Sequence, residues 1–330
     1  MIRQNGSMAG RRILITGASG FLGASLARRL ASRGARVAGL ARSRGKLAVE
    51  PGVEFLPCDL TDSAAAAQVI GCFAPEILFH FAAHPDGAES YSQACHSLQT
   101  NTLITLNTLE AFRVTAGDLF VYGDSSKVYG ECEVPYRSAL PLRPLSSYAI
   151  AKAAGWELCE LYRRLHRVPT VSLRPTLIYG PNQAYNLVTY VVDCVLSGKK
   201  EVVLDGGSQT RDPLYIDDAV SAFVAVAERG KPLAGSVINL GGGNEYTIRD
   251  LTETILQLME ANLEVVVSRA RLRPTDTQRS YCDNAESMPL LGWRPVVGLR
   301  LGLLRTIEHL LEKSAPSVQT PTRLAAQQGL

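Results

Sequence analysis

An α/β fold, built as a Rossmann-type doubly wound parallel sheet with a smaller C-terminal α/β lobe, is predicted by three features of the chain. Short apolar runs alternate with helix-length stretches through the first half, the rhythm of a parallel sheet covered on both faces. A glycine-rich turn, Gly17-Ala18-Ser19-Gly20-Phe21-Leu22-Gly23, joins the first apolar run to the first helical stretch. After Pro181 the alternation loosens, marking a second unit.

Strands are read at 13–16, 36–40, 53–57, 77–80, 119–122 and 170–173, and helices at 21–32, 64–70, 101–112 and 147–165. Beyond 181 come a helix at 187–196, a strand at 202–204, a glycine-rich turn at 205–208 and helices at 248–259 and 299–311. The run 237–240 reads as a strand returning to the large sheet. The predicted division is a dinucleotide-binding unit at 11–180 plus about 214–242, a substrate lobe at 181–213 and 243–313, and a loose tail over 314–330.

The chain has 330 residues, 46% of them apolar, enough for a large core. Its 34 basic and 31 acidic side chains are scattered rather than gathered into a stripe, so no nucleic-acid partner is expected. Seven cysteines without a C-x-x-C or Cys/His cluster fit reduced thiols and argue against a metal site. No apolar run reaches the length of a membrane span, and the expectation is a soluble, cytoplasmic protein.

Tyr148 and Lys152 stand four residues apart on one helix face. A free phenol, with a pKa of about 10, is a poor base, and a fixed ammonium beside it is expected to favour the phenolate. At the other end, glycines let the backbone turn tightly and approach a pyrophosphate, while the N–H groups opening the helix meet its charge. The second strand is followed by Arg42, Ser43 and Arg44 where an acid for a ribose 2′-hydroxyl would stand, so the sequence leans to NADP, with NAD as the alternative. Asp59 is read either as a partner of the adenine amino group or as a helix N-cap. His80 is read as a core histidine, and Trp156 and Trp293 as packing residues.

Gly17/Gly20/Gly23, Asp59-Leu60, His80-Phe81-Ala82-Ala83, Asn101, Ser125-Ser126-Lys127-Val128-Tyr129-Gly130, Tyr148/Lys152 and Arg174-Pro175 with Tyr179-Gly180-Pro181 together resemble the extended short-chain dehydrogenase/reductases. Within these the chain is similar to the nucleotide-sugar epimerase/dehydratase family, over about residues 11–312. The resemblance implies that Tyr148 is the acid/base, that Lys152 tunes it and holds the nicotinamide ribose, and that Ser125 hydrogen-bonds the sugar oxygen being oxidised. It implies cofactor contacts at Ser19, Phe21, Leu22, Leu60, Ala82, Ala83, Asn101 and Pro175, and substrate contacts at Ser126, Lys127, Asn186, Arg211, Arg273 and Asp276, the arginines meeting a nucleotide diphosphate. It also implies a homodimer joined through helices 101–112 and 147–165.

Dehydratases of this family carry Asp and Glu where this chain has Ser126 and Lys127, and many members carry Asn where it has Leu177. The expected activity is therefore NAD(P)-dependent epimerisation of a nucleotide sugar by reversible hydride transfer at a ring carbon, C4 in the first instance. The alternatives are NADPH-dependent 4-ketoreduction of a keto-deoxy nucleotide sugar and, behind it, 4,6-dehydration. A reductase of a non-nucleotide substrate would make Arg211, Arg273 and Asp276 dispensable. A non-catalytic nucleotide sensor is disfavoured because both Tyr148 and Lys152 are kept.

Overall fold

The computed structural model describes residues 8–43, 51–84, 89–268 and 275–314. Its first half alternates β1 (Arg12–Thr16), α1 (Phe21–Ser32), β2 (Arg36–Ala41), β3 (Val53–Pro57), α2 (Ser63–Phe73), β4 (Ile77–His80), α3 (Tyr91–Arg113), β5 (Leu119–Gly123), α4 (Ser147–His166) and β6 (Thr170–Pro175). There follow β7 (Leu177–Tyr179), α5 (Leu187–Leu196), β8 (Glu201–Asp205), β9 (Thr210–Arg211), β10 (Pro213–Tyr215), α6 (Ile216–Arg229) and β11 (Val237–Leu240). The chain continues through β12 (Tyr246–Thr247), α7 (Ile248–Leu258), β13 (Glu264–Ser268), α8 (Ser287–Leu291) and α9 (Leu299–Ser314).

Seven strands form one sheet in the order β11-β6-β5-β4-β1-β2-β3, and its pairings are parallel. The chain winds outward from β1 through β2 to β3, then returns to the far side of β1 as β4. This reversal leaves a crevice beyond the C-terminal ends of β1 and β4, the usual ligand position in open α/β sheets.

Because strand side chains alternate in direction, each strand feeds two cores. Ile13, Ile15, Phe79, Val121 and Leu173 pack on one face with Leu26 and Leu30 of α1 and Phe223 of α6. Leu14, Leu78, Phe120 and Tyr122 pack on the other with Ile70 of α2, Leu109 and Phe112 of α3 and Trp156 of α4. The first core continues into Val191 of α5, Val202 and Leu204 of β8, Ile255 of α7 and Ile307 of α9. Three two-stranded sheets, β10-β7, β12-β9 and β13-β8, serve this second region.

The structure departs from the sequence reading at several places, among them helix α6, helix α8 and the short strands β7, β9, β10 and β12, none of which was read. Helix α3 starts at Tyr91 rather than 101, because its polar opening turns carry no apolar stripe and are held by tertiary contacts such as the buried Ser97. Strand β13, in parallel register with β8 through Val202↔Val265, was not expected. The run 237–240 does join the large sheet, beside β6. Of the tail, residues beyond Ser314 lie outside the described residues.

His80 closes β4 in a fully determined hydrogen-bond chain. The Ala82 N–H donates to Thr16 Oγ1 at 3.1 Å, leaving that hydroxyl to donate to His80 Nδ1 at 2.9 Å. His80 Nε2 lies 3.1 Å from Thr105 Oγ1, which itself donates to the Asn101 carbonyl at 2.8 Å. These roles fix the Nε2–H tautomer. Burial first, and the Lys152 charge second, push the imidazole pKa down to about 3 from 6.5.

A depressed basic group means that the unfolded chain takes up the proton first, so the His80 contribution is complete above pH 6.5 and is lost as pH falls towards about 3. Asp212, whose carboxyl burial pushes up to about 7, contributes a slope of opposite sign, so the informative quantity is a difference. The stability gap between the wild type and His80→Gln in urea unfolding is expected to narrow by about 1.4 kcal/mol per pH unit below 6.5. A gap that stays constant between pH 7 and pH 5 would refute the neutral, buried imidazole.

Candidate active site

A cleft of about 780 Å³ runs along the C-terminal edge of the sheet, from the glycine turn to Arg211. At its first end Gly17 has φ +66°, and a Cβ there would stand 2.7 Å from the Ala82 nitrogen and 2.8 Å from the Phe81 carbonyl carbon. Only glycine allows the turn to pass this close to the β4 exit. Gly20 is the N-cap of α1 and makes no side-chain cap bond, and Phe21, Leu22 and Gly23 of the opening helical turn line the cleft. A helix start whose amides face a cleft is suited to a pyrophosphate.

Ser19, Leu60, Ala82, Ala83 and Pro175 also line the cleft, as do Arg42 and Asp59 on its outer rim. Asp59 is not a helix cap. Its Oδ1 accepts from Thr61 N–H at 3.0 Å and Thr61 Oγ1 at 2.8 Å, which together hold its carboxyl below the usual range, and α2 is capped by Asp62 instead. The residues present fit a nicotinamide dinucleotide: a backbone cradle, a helix N-terminus and a mixed polar and apolar rim.

At the inner end the cleft is lined by Ser125, Ser126, Lys127, Tyr148 and Lys152. Ser125 follows β5 and caps the short 3-10 helix Ser126–Tyr129, its Oγ accepting from Lys127 N–H at 3.3 Å. With that lone pair engaged, its proton is free to donate to a ligand oxygen. Ser146 caps α4, its side chain accepting from Ala149 N–H, while Glu89 accepts from Ser147 N–H at 3.0 Å. Tyr148 and Lys152 are thereby set on the first turns of a well-anchored helix. Lys152 is only 4% exposed and donates from Nζ to the Gly123 carbonyl at 2.6 Å.

The expectation that Lys152 lowers the Tyr148 pKa is corrected here. Burial, helped by the Asp124 charge, pushes the phenol above its ordinary value. The ammonium lies 5.9 Å from the tyrosine ring centroid and is held on Gly123, and burial pushes Lys152 itself down to about 8. As arranged, Ser125 and Tyr148 offer O–H donors to an acceptor such as a carbonyl oxygen.

Arg211 lines the far end with Asp276, its Nη2 3.8 Å from Asp276 Oδ1. Its Nη1 donates to the carbonyls of Thr210 at 2.7 Å and Thr277 at 3.0 Å. Arg44 and Arg273 lie outside the described residues.

Three expected contacts do not line the cleft. The Asn101 side chain is committed to the loop after β4, Oδ1 accepting from His84 N–H at 2.6 Å and Nδ2 donating to its carbonyl at 3.2 Å. Asn186 caps α5 in a reciprocal capping box with Thr189. Ser43 is exposed beyond the rim. Missed were Asp124, immediately before Ser125, and Thr275, Thr277 and Ser280, which join Asp276 at the far end. Their adjacency to Ser125 and Asp276 was the only sequence signal.

A parallel α/β sheet with a glycine turn at one end of its crevice, and a Ser, Tyr and Lys set at the other, defines a dinucleotide-dependent enzyme of the extended short-chain dehydrogenase/reductase type. The chain belongs to the NAD dependent epimerase/dehydratase family, which it matches over residues 13–241. It is 32% identical to the UDP-glucose 4-epimerase of Mycolicibacterium smegmatis, over 92% of this chain and 99% of that one. It is 28% identical to a dTDP-glucose 4,6-dehydratase of Neisseria gonorrhoeae, over 92% and 96% respectively. Its structure is similar to that of the UDP-glucuronic acid 4-epimerase from Bacillus cereus in complex with UDP-glucuronic acid and NAD, with a TM-score of 0.83, 26% identity and coverage of 91% and 99%.

Gly17→Ala tests the cradle. The added Cβ meets the Phe81–Ala82 backbone, and a left-handed non-glycine residue costs about 1–2 kcal/mol before any overlap. The expected result is a lowered melting temperature together with lost dinucleotide affinity in a fluorescence titration. Unchanged melting and affinity would rule the close approach out.

Proposed function

We propose that this protein is a nucleotide-sugar 4-epimerase that works by reversible hydride transfer at C4. The observation carrying this reading is that Ser125, Tyr148 and Lys152 line the same cleft as the glycine turn and the Arg211/Asp276 pair. A dinucleotide along the glycine end supplies the hydride acceptor and donor. Ser125 and Tyr148 would hydrogen-bond the C4 oxygen, and Tyr148, having released its own proton to solvent under the positive charge that an oxidised nicotinamide would bring, would take the C4 hydroxyl proton as C4 loses hydride. The resulting 4-keto sugar is planar at C4. Turning in the cleft while Arg211 retains the diphosphate, it would present its other face, regain hydride there, and recover its proton from Tyr148.

Ser126 favours this over dehydration. It is 5% exposed and lines the cleft, but a serine hydroxyl is far too weak an acid to assist departure of a C6 hydroxyl. NADP is our reading for the cofactor, with NAD the alternative. Arg42 on the rim suits a 2′-phosphate, and the same feature favours 4-ketoreduction as the second reading. We assign 11–180 with about 214–242 to the dinucleotide and 181–213 with 243–313 to the sugar nucleotide.

Incubation with UDP-glucose, UDP-glucuronic acid or UDP-N-acetylglucosamine should give the C4 epimer by NMR with no net change in nicotinamide absorbance. Tyr148→Phe should lower kcat by roughly 10²–10⁴-fold. Stoichiometric consumption of NADPH would instead identify a reductase, and loss of water a dehydratase. Arg42→Ala should weaken NADP binding by about tenfold or more, the loss of a hydrogen bond to a charged group costing roughly 1.5–3 kcal/mol, and leave NAD binding unchanged. Equal effects on both dinucleotides would remove the NADP assignment.

We further propose a homodimer through α3 and α4, which pack on one another and expose Leu103, Leu106, Ile150 and Leu161. Light scattering at micromolar concentration should give twice the chain mass, and Leu103→Glu with Ile150→Glu should give the monomer. A monomeric wild type would sink this assignment.

A further inference from the structure

We propose that Asp124 is a positioning residue of the reaction centre: clamped by Arg174, its carboxylate holds the Ser125 backbone and presents a fixed negative charge to Lys152. The proposal rests on Tyr148 and Lys152 being the reacting pair, and it goes beyond the roles of Ser125, Tyr148 and Lys152 themselves.

Asp124 lies between Gly123, whose carbonyl receives the Lys152 ammonium, and Ser125, which faces the cleft. Its Oδ1 accepts from Ser125 N–H at 2.8 Å. Its Oδ2 accepts from Ser172 Oγ at 3.0 Å and Arg174 Nε at 2.7 Å. The side chains of this ion pair are 0% and 2% exposed. Arg174 Nη1 donates to Tyr129 Oη at 3.0 Å, Tyr129 donates to Asn239 Oδ1 at 2.8 Å, and Asn239 Nδ2 donates to the Tyr136 carbonyl at 3.2 Å. The clamp therefore reaches from β5 across β6 to β11. Both carboxylate oxygens are engaged by the protein, so Asp124 is placed to hold and to charge, not to exchange protons with substrate.

A buried ion pair is a weak source of stability, because desolvation consumes most of the attraction. Its position beside the reactive serine points instead to the placement of charge. The groups facing it are Tyr122 from β5, Ser172 and Arg174 from β6, Tyr148, Lys152 and Cys159 from α4, and Tyr129 from the 3-10 helix, with His80 beyond Lys152 on β4. Burial drives Lys152 towards neutrality, and Asp124 is the first influence opposing it. Burial, and after it the same charge, holds Tyr148 protonated. Removing that charge should let both groups lose their protons at lower pH.

The test uses Asp124→Asn, with Asp124→Asn/Arg174→Gln as the second variant, because losing both partners of a buried pair is tolerated better than losing one. Ser172→Ala is the control that keeps the charge. Affinity for NADPH is titrated by fluorescence from roughly pH 6 to 10, a span on either side of the value of about 8 to which burial brings Lys152. In the wild type the alkaline loss of affinity is expected near pH 8, where Lys152 gives up its proton. Both Asp124 variants should move that limb down by about one pH unit, whereas Ser172→Ala should leave it in place. An unmoved limb in either folded Asp124 variant would overturn the proposal. The binding readout needs no turnover, so absence of epimerase activity in the wild type would count against the proposed reaction alone.

Discussion

The passage of the Gly17 turn against the Phe81–Ala82 backbone fixes where two neighbouring parallel strands release the chain in opposite directions. β1 gives way to a helix on one face and β4 to a loop and helix on the other, and the crevice exists because the two exits diverge there. The hydrogen bonds from Ala82 through Thr16 to His80, and on to Thr105, tie the same two exits together from below. The cleft floor is thus made of backbone and buried polar groups with few rotatable parts, which suits a surface that must hold a long, flat cofactor in one register.

Charge at the inner end follows from the same burial. Lys152, Arg174 and Asp124 are each 5% exposed or less, so each charge there is felt strongly by its neighbours. An ammonium four residues from a phenol would be expected to dominate it, but the ammonium is drawn onto the Gly123 carbonyl and desolvation of the phenol prevails. Tyr148 therefore rests protonated, beside a serine whose own proton is free. Such a centre suits binding a carbonyl directly, and it becomes a base for an alcohol only when further positive charge reaches the cleft, as an oxidised nicotinamide ring would bring.

The fold was largely legible because its signals are local: apolar runs of strand length, a glycine turn between a strand and a helix, and a helix carrying Tyr148 and Lys152 on one face. The start of α3 was not, since Tyr91 through Thr100 are placed by what packs around them and carry no apolar stripe of their own. Asn186 and Asn101 show the opposite failure. Both are polar residues near the expected site, yet helix capping and loop anchoring occupy their hydrogen-bonding groups. Asp124 and Arg174 stand fifty residues apart, and nothing local in the sequence says that they meet across β5 and β6.

The second region is joined to the large sheet by a carboxylate as well as by shared core. Asp212 follows Arg211 directly and is fully buried. Its Oδ2 accepts from Cys282 N–H at 3.2 Å, and a Cβ on Gly241, just past β11, would stand 2.1 Å from that oxygen. Arg211 is thus referred, through one peptide bond and one buried side chain, to the end of a strand in the same sheet that carries Ser125. If the diphosphate is held by Arg211, its distance from the reacting centre is set by backbone and not by the reach of a flexible side chain. A sugar between two such fixed ends can exchange the face it presents only by rotating about its own linkage to the diphosphate. That is the freedom epimerisation requires, and a cleft closed tightly around one sugar face would forbid it.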